Sequence, residues 1–229
     1  MDSSAAPVVE LSDAVAVLGS FPVLAGVDLR VEAGELILLR GPNGAGKTSL
    51  LRLCAGLLPI SRGRGSVCGL DLTTQRRAIR SRVGLLGHAN GLYQDLTVHE
   101  NLRFWGATVG ASAQEIGAAE QRMGLAARLA TVPVERLSAG QKRRTALACM
   151  LVRRAQLWLL DEPHAGLDAA ARDDLDTVLI DATRSGATVI VASHELERWA
   201  GLAARQVEVV GGHLNPVRST LETTPPGRG

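Results

Sequence analysis

The chain has 229 residues, of which 46% are hydrophobic and only 3% aromatic, so its core must be built from aliphatic side chains. Its 25 basic and 23 acidic residues give a net charge of +2, which excludes the strongly basic surface typical of nucleic-acid binding. No stretch of the sequence approaches the roughly 18 apolar residues of a membrane-spanning helix, so any membrane role is expected to pass through a partner.

The first part of the chain is predicted to contain strands and one helix. Residues 8–17 and 27–31 alternate loosely between apolar and polar and are predicted strands, and a third, short strand is predicted over 35–40. A glycine-rich loop and an apolar helix over about 47–57 follow. We expect this unit to end at a glycine turn formed by residues 63–65. A further strand is predicted over 82–87.

The second part of the chain begins with a helical region. Residues 96–136 show a helical pattern without a good strand, and Thr97 with Glu100 fits a capping box at its start. A helix is also predicted over 138–153. The remaining elements alternate between strands and helices at residues 157–160, 169–184, 187–192, 195–203 and 206–210. Such alternation predicts a mostly parallel sheet covered by helices.

These elements predict one large α/β domain over residues 1–217. The helical region, about 96–154, is predicted to be a subdomain inserted into it. The end of the chain, 218–229, is rich in Thr, Pro and Gly and is predicted to be disordered. The arginine pairs 76–77, 143–144 and 153–154 are expected on solvated helix faces or in local ion pairs. The odd number of cysteines (Cys54, Cys68 and Cys149), without a C-x-x-C pair, is typical of reduced thiols in a cytosolic protein.

The glycine-rich loop matches G-x-x-x-x-G-K-[ST] at every fixed position and lies between a predicted strand and a helix. We expect its backbone N–H groups to hold the phosphates of ATP, with Lys47 reaching the β- and γ-phosphates and Thr48 offering its hydroxyl to Mg²⁺. Lys47 is one of only two lysines in a chain that otherwise uses arginine. The predicted phosphate-binding residues are Gly41, Pro42, Asn43, Gly44, Ala45, Gly46, Lys47, Thr48 and Ser49.

Polar residues follow two of the later predicted strands. Asp161 and Glu162 end the strand 157–160, and His194 follows the strand 187–192. Because the carboxyl ends of parallel strands face the ligand crevice, Asp161 is predicted to hold Mg²⁺ through water. Glu162 is predicted to polarise the water that attacks the γ-phosphate, and His194 to orient it. The histidines at 99, 164 and 213 lack such placement and are assigned no role.

Residues 137–141, with the sequence Leu-Ser-Ala-Gly-Gln, resemble the signature sequence of the ABC ATPase family. The loop, the strand ending in Asp161 and Glu162, and the segment 166–168 follow that family's order over about residues 8–214. The resemblance implies a P-loop NTPase core with antiparallel strands at its N-terminus. It also implies a head-to-tail dimer in which each copy completes the other's ATP site with Leu137, Ser138, Ala139, Gly140, Gln141 and Asp168. Ser138 also suits a helix N-cap.

A narrower resemblance is found over residues 87–102, which are similar to the corresponding segment in the ATP-binding subunit of the haem exporter of cytochrome c maturation. It implies an ATPase on the cytoplasmic face of the membrane, bound to separately encoded permease subunits and powering haem export. The alternative is the ATPase subunit of a general exporter of drugs or lipids.

The sequence departs from the family at two positions. The family's loop glutamine, which senses Mg²⁺ and contacts the membrane partner, is replaced by Ala89, with His88, Asn90 or Gln94 as candidate substitutes. The aromatic residue that stacks on adenine is expected near residue 18, where Phe21 is the only aromatic nearby.

Two other functions compete with transport. An ABC ATPase acting on DNA or the ribosome usually has coiled-coil arms or two cassettes, and the sequence shows neither heptads nor a second phosphate loop. A nucleotide-binding scaffold without turnover is favoured by Ala89, but Glu162 and His194 oppose it.

Overall fold

The computed structural model describes residues 6–87, 89–199, 202 and 205–216. Its strands are β1 (Val9–Leu18), β2 (Phe21–Val31), β3 (Leu36–Arg40), β4 (Arg62–Val67), β5 (Leu70–Asp71), β6 (Val83–Leu86), β7 (Leu157–Asp161), β8 (Thr188–Ala192), β9 (Arg205–Val210) and β10 (His213–Pro216). Its α-helices are α1 (Lys47–Cys54), α2 (Arg76–Arg82), α3 (Val98–Ala107), α4 (Ala113–Arg122), α5 (Ala139–Val152), α6 (Ala169–Arg184) and α7 (Leu196–Trp199). None of these helices is long and apolar enough to cross a membrane.

The strands form two sheets. The smaller sheet has the order β2-β1-β4-β5, with every pair antiparallel. The larger sheet has the order β10-β9-β3-β8-β7-β6, and all its pairs are parallel except the hairpin of β9 and β10. This arrangement confirms the predicted fold: a mostly parallel α/β sheet with antiparallel strands from the N-terminal part of the chain.

The larger sheet separates two parts of the core. In β3, Ile37 and Leu39 face one apolar cluster, which contains α1 and the smaller sheet. Leu36 and Leu38 face the other cluster, to which α3, α4, α5 and α6 contribute. Because both faces are covered, the central strands β3, β7 and β8 are almost continuously apolar, which is typical of parallel strands. Because β3, β8 and β7 are neighbours in the larger sheet and run parallel, their carboxyl ends lie at the same edge of that sheet.

The region 96–136 is helical, as predicted. It holds α3, α4 and two 3₁₀ turns at Ala127–Leu129 and Val134–Arg136, and its only strand-like pairing among the described residues is an isolated bridge between Thr97 and Pro133. The capping box of Thr97 and Glu100 is confirmed at the start of α3. The division into an ATPase domain with an inserted subdomain over about 96–154 stays a prediction. Residues 218–229 lie outside the described part of the chain.

The prediction of a turn at residues 63–65 is wrong, because these residues lie within β4. The glycines there allow close approach to β1 instead. A Cβ on Gly63 would lie 2.1 Å from the carbonyl oxygen of Asp13, and one on Gly65 would lie 2.6 Å from Cδ2 of Leu11. The glycines that locally resemble a turn therefore serve the close packing of β4 against β1.

Other predicted boundaries differ from the structure. Strand β2 begins at Phe21 rather than at residue 27, α1 ends at Cys54 rather than at 57, and α2 is an additional helix that the sequence patterns do not predict. The described part of α7 spans only Leu196–Trp199. The three cysteines are free, and burial raises the pKa of Cys54 and of Cys149 to about 12.

Candidate nucleotide-binding site

A cavity of about 430 Å³ opens at the edge where the carboxyl ends of β3, β7 and β8 meet. The loop between β3 and α1 forms one wall, and the residues after β7 and β8 form the other. Its lining consists of Val23, Asn43, Gly44, Ala45, Gly46, Lys47, Thr48, Ser49, Arg143, Asp161, Glu162, Ala165 and His194. The cavity therefore brings together most of the predicted phosphate loop and all four predicted metal and catalytic residues.

The loop leaves the start of α1 open. The N-cap Gly46 makes no side-chain capping bond, and the first turn of the helix contains no acidic residue. The first N–H groups of a helix and its dipole favour an anion, so this end can bind phosphate. The side chain of Lys47 is buried beside it, and its ammonium donates to the carbonyl oxygens of Gly41 at 2.6 Å and of Pro42 at 3.0 Å.

Two glycines are required for this shape of the loop. Gly41 has φ +138°, and a Cβ there would lie 2.1 Å from the carbonyl oxygen of Val209. Gly46 has φ +111°, and its Cβ would lie 2.8 Å from the carbonyl oxygen of Val23. A side chain at either position would combine an unfavourable backbone angle with a clash against backbone.

The oxygen donors of Thr48 and Asp161, which line the cavity, suit a magnesium ion. The hydroxyl of Thr48 donates to Oδ2 of Asp161 over 2.7 Å, across 113 residues of sequence. Hydroxyl and carboxylate oxygens are the hard ligands that Mg²⁺ prefers, and this ion usually keeps several waters in addition to one or two protein groups. Thr48 and Asp161, the two residues predicted to hold Mg²⁺, are thus in direct contact, and the metal site itself stays a prediction.

Glu162 and His194 lie next to each other in the cavity. Nε2 of His194 is 3.3 Å from Oε1 of Glu162 and at hydrogen-bond distance, 2.7 Å, from Oδ1 of Asn43. Oε1 of Glu162 is buried and has no hydrogen-bond partner among the described residues. The backbone of Glu162 has φ +46°, and its N–H donates to the carbonyl of Ala192. Glu162 thus lines the cavity with one carboxylate oxygen buried against the imidazole of His194.

The predicted signature segment lies elsewhere on the molecule. Ser138 caps α5: its hydroxyl accepts from the N–H of Gln141 at 3.2 Å, and the Gln141 side chain accepts from the N–H of Ser138 at 2.9 Å. Ser138 and Ala139 are exposed, Gly140 and Gln141 are half-buried, and Leu137 is buried. None of residues 137–141 lines the cavity, so a single copy of the chain does not bring them to the phosphate loop.

Asp168 also lies at an exposed helix start. Its carboxylate accepts from the N–H of Ala171 at 2.9 Å as the N-cap of α6. It is close to the signature, because a Cβ on Gly140 would lie 3.5 Å from Cδ2 of Leu167. The two segments that the family resemblance assigns to a partner's site therefore share one surface of the molecule.

Among the described residues, no candidate for the missing glutamine or for the adenine-stacking residue lines the cavity. Ala89 is exposed, Asn90 is half-buried, and the amide of Gln94 donates to the carbonyl of Leu92 at 3.3 Å. His88 lies outside the described residues. Phe21 is 75% exposed at the start of β2, so its role at the adenine stays a prediction.

Sequence reasoning missed two residues near the cavity. Arg143, expected on a solvated helix face or in a local ion pair, is only 7% exposed and lines the cavity. His164, assigned no role, is buried, and its Nε2 lies 2.8 Å from Oδ1 of Asp176. Burial lowers the pKa of His164, while the charge of Asp176 opposes the shift. The signal that could have revealed Arg143 is a cation within a helix whose next turns, 145–150, are wholly buried.

The sequence is similar to those of known proteins. The family model described as ABC transporter matches residues 24–165. The curated protein "Cytochrome c biogenesis ATP-binding export protein CcmA" of Paramagnetospirillum magneticum is 43% identical over 182 residues, covering 78% of this chain and 83% of that protein. The protein of the same name from Cupriavidus pinatubonensis is 35% identical and covers 92% of both chains.

Solved structures share the fold. The ATP-binding subunit of an ABC transporter superposes with a TM-score of 0.83 at 25% identity, covering 92% of this chain and 90% of that one. A dimeric ATP-binding cassette in a post-hydrolysis state, bound to ADP and Pi, superposes with a TM-score of 0.82 at 22% identity, covering 92% and 99%.

Proposed function

The chain belongs to the ABC transporter family of ATP-binding subunits, and from that premise we propose that it powers an exporter in cytochrome c biogenesis, with haem as the cargo. The observation that carries the narrower assignment is the 43% identity, over 78% of the chain, to a relative named as a cytochrome c biogenesis export protein. The cavity at the carboxyl ends of β3, β7 and β8 supports the ATPase activity on which export would depend.

We assign phosphate binding to the loop 41–49. The open start of α1 offers backbone N–H groups and a positive dipole end to the β- and γ-phosphates. The ammonium of Lys47 lies against two loop carbonyls and needs only to turn from them to reach a phosphate oxygen. A compact ammonium suits this crowded position better than a planar guanidinium.

We assign the hydrolytic step to the residues after β7 and β8. Thr48 and Asp161 would hold Mg²⁺, which when bound neutralises phosphate charge. Glu162 lines the cavity, and its carboxylate would accept a hydrogen bond from the attacking water. His194, between Asn43 and Glu162, would hold the water and the γ-phosphate in line.

We propose that two copies complete each other's sites. The signature residues 137–141 and Asp168 share an exposed surface away from the cavity of their own copy, so they would meet the ATP of a second copy. A structural neighbour with the same fold is a dimer. We propose that the closing of this dimer is passed to membrane-spanning permease subunits and that the chain works on the cytoplasmic face of the membrane.

Substitution of Glu162 by Gln tests the hydrolytic assignment. Loss of a positioned general base lowers turnover by about 100-fold or more. Because ATP binding is retained, the variant should accumulate as an ATP-bound dimer in size-exclusion chromatography. Glu197→Gln, at an exposed position of α7, is the matched control and should turn over as the unmodified protein does. Unchanged hydrolysis by Glu162→Gln would refute the role of that carboxylate.

Purification of the tagged chain from solubilised membranes tests the export assignment. We expect cytochrome c maturation components among the membrane proteins that co-purify. An unrelated permease would contradict haem export and would favour the general exporter. Nuclease-resistant nucleic acid without any permease would contradict transport altogether.

A further inference from the structure

Arg143 is the only side chain from α5 that lines the nucleotide cavity among the described residues. One terminal nitrogen, Nη1, donates to the carbonyl of Gly87 at 2.8 Å, and the other, Nη2, donates to the carbonyl of Glu162 at 3.3 Å. Gly87 follows the last residue of β6, and Glu162 follows the last residue of β7, two strands that pair in parallel. The guanidinium therefore bridges the ends of two neighbouring strands.

Burying a positive charge in this position costs free energy unless neighbouring groups stabilise the charge. Arg143 is 7% exposed, and the rest of α5 beyond it is almost entirely buried. Burial lowers the pKa of its guanidinium, while the nearby charge of Asp161 opposes that shift. Arginine stays charged in proteins, so a full positive charge stands close to the carboxylates of the cavity.

The two tied carbonyls belong to segments that matter for hydrolysis. Glu162 has a left-handed backbone, φ +46°, which a non-glycine residue keeps only where its surroundings hold it. Gly87 opens the segment in which Ala89 stands where the family resemblance places a glutamine. The exposed Ala89 side chain has no polar atom that could connect this segment to the nucleotide.

We propose that Arg143 is a positioning residue for hydrolysis, which fixes the catalytic Glu162 by tying its backbone to the start of the segment that lacks the usual glutamine. The inference rests on the proposed ATPase function and deepens it. The planar fork of arginine holds its two donors in a fixed geometry, whereas lysine carries a point charge on a flexible stem. Displacement of Glu162 by even one ångström would lower the rate without removing any group that contacts phosphate.

Arg143→Gln tests the proposal by separating kcat from KM. We expect kcat for ATP hydrolysis to fall by about 10- to 100-fold, while KM for ATP changes by less than about threefold, because the phosphate loop is intact. Arg143→Lys should give an intermediate kcat. The matched control is Arg154→Gln: Arg154 lies just beyond α5, pairs with Glu115 and does not line the cavity, so its kcat should stay within about twofold.

A double-variant comparison distinguishes positioning from general damage. If Arg143 acts through Glu162, the substitution Arg143→Gln should lower the residual rate of Glu162→Gln by less than about twofold. Equal losses of kcat in the two backgrounds would overturn the proposal. So would a kcat for Arg143→Gln that matches that of Arg154→Gln.

Hydrogen exchange gives a measurement that does not depend on turnover. We expect peptides covering 84–92 and 160–165 to exchange faster in Arg143→Gln, with α1 and the phosphate loop unchanged. Unaltered exchange in both peptides would contradict the bridge formed by Arg143, whether or not the unmodified protein hydrolyses ATP. Absence of ATPase activity in the unmodified protein would instead count against the proposed function. Should Arg143→Gln not fold, Arg143→Lys carries the same kinetic and exchange comparisons.

Discussion

Helices α1 and α5 both begin close to a glycine-rich motif, but their first turns are completed in different ways. At α1 the N-cap is Gly46, no side chain caps the helix and no acidic residue follows in the first turn. At α5 a serine caps the helix and Gln141 closes a reciprocal capping box. The open end of α1 lies inside the cavity of its own chain, whereas the self-capped end of α5 lies on the outside.

The other capping boxes show why the difference matters. Helices α3 and α4 close their boxes with Glu100 and Glu115, whereas α5 uses the neutral Gln141. A hydrogen bond from the backbone of Thr97 lowers the pKa of Glu100, and Arg154 and the backbone of Ser112 hold that of Glu115 at about 2, so both are charged at neutral pH. A carboxylate there neutralises the helix dipole. The starts of α1 and α5 keep their positive ends and remain suited to an anion.

Gly46→Ala is expected to disrupt the α1 side of this comparison most strongly. The new Cβ would combine φ +111° with a contact of 2.8 Å to the carbonyl oxygen of Val23. We expect the free energy of unfolding to fall by more than about 2 kcal/mol, and ATP binding to be lost because the first amides of α1 must move. Urea unfolding and titration with a fluorescent ATP analogue measure the two effects.

Gly44→Ala is the control for backbone angle alone. Gly44 also has a positive φ, +77°, but nothing lies within 4 Å of its added Cβ. Its loss of stability should be near the lower end for a left-handed residue, about 1 kcal/mol. Equal losses for the two variants would contradict the steric account of the loop.

The sequence predicted the α1 side well, because that site is made of local patterns. The phosphate loop, the cap of Thr97 and the carboxylates after β7 each depend on a few neighbouring residues. The structure has the cap and brings the loop and the carboxylates to one cavity, while their roles toward ATP stay predictions. The β4 segment shows the opposite case: Gly63 and Gly65 resemble a turn locally, and only the approach of β1 explains them. Arg143 and His164 were missed for the same reason, since their partners are brought to them by distant parts of the chain.

Gln141→Glu tests whether the start of α5 faces a phosphate, because the substitution should stabilise the monomer and weaken the dimer. A carboxylate in the first turn should stabilise the monomer by about 0.3–1 kcal/mol through the helix dipole. The same charge would repel the γ-phosphate of a second copy, so we expect ATP-driven dimerisation of Glu162→Gln to weaken by about tenfold. Thermal melting and analytical ultracentrifugation measure these two effects.

The reciprocal substitution Glu100→Gln is the control at a capping box without an assigned ligand. It should destabilise the monomer by a few tenths of a kcal/mol, about the mirror image of the first variant, and leave dimerisation unchanged. Unchanged dimerisation by Gln141→Glu would show that the α5 start does not face phosphate. Helices α1 and α5 would then differ only in how their first turns are capped, and α5 would have no role in binding phosphate.

His164→Gln tests a smaller effect, the pH dependence of stability at the buried contacts that connect the segment after β7 to α6 and α7. Nδ1 of His164 lies 3.9 Å from Oε2 of Glu195, and its ring lies 5.0 Å from that of Trp199. Burial lowers the pKa of this histidine in the folded state, so the unfolded chain takes up the proton first as the pH falls. The contribution of His164 to stability should therefore be fully present above about pH 6.5 and decrease below it.

We expect urea unfolding of His164→Gln to depend less steeply on pH between about 7.5 and 5.5 than that of the unmodified protein. A steeper dependence in the variant would mean that the charges of Asp176 and Glu195 outweigh burial, and that His164 is charged in the folded protein.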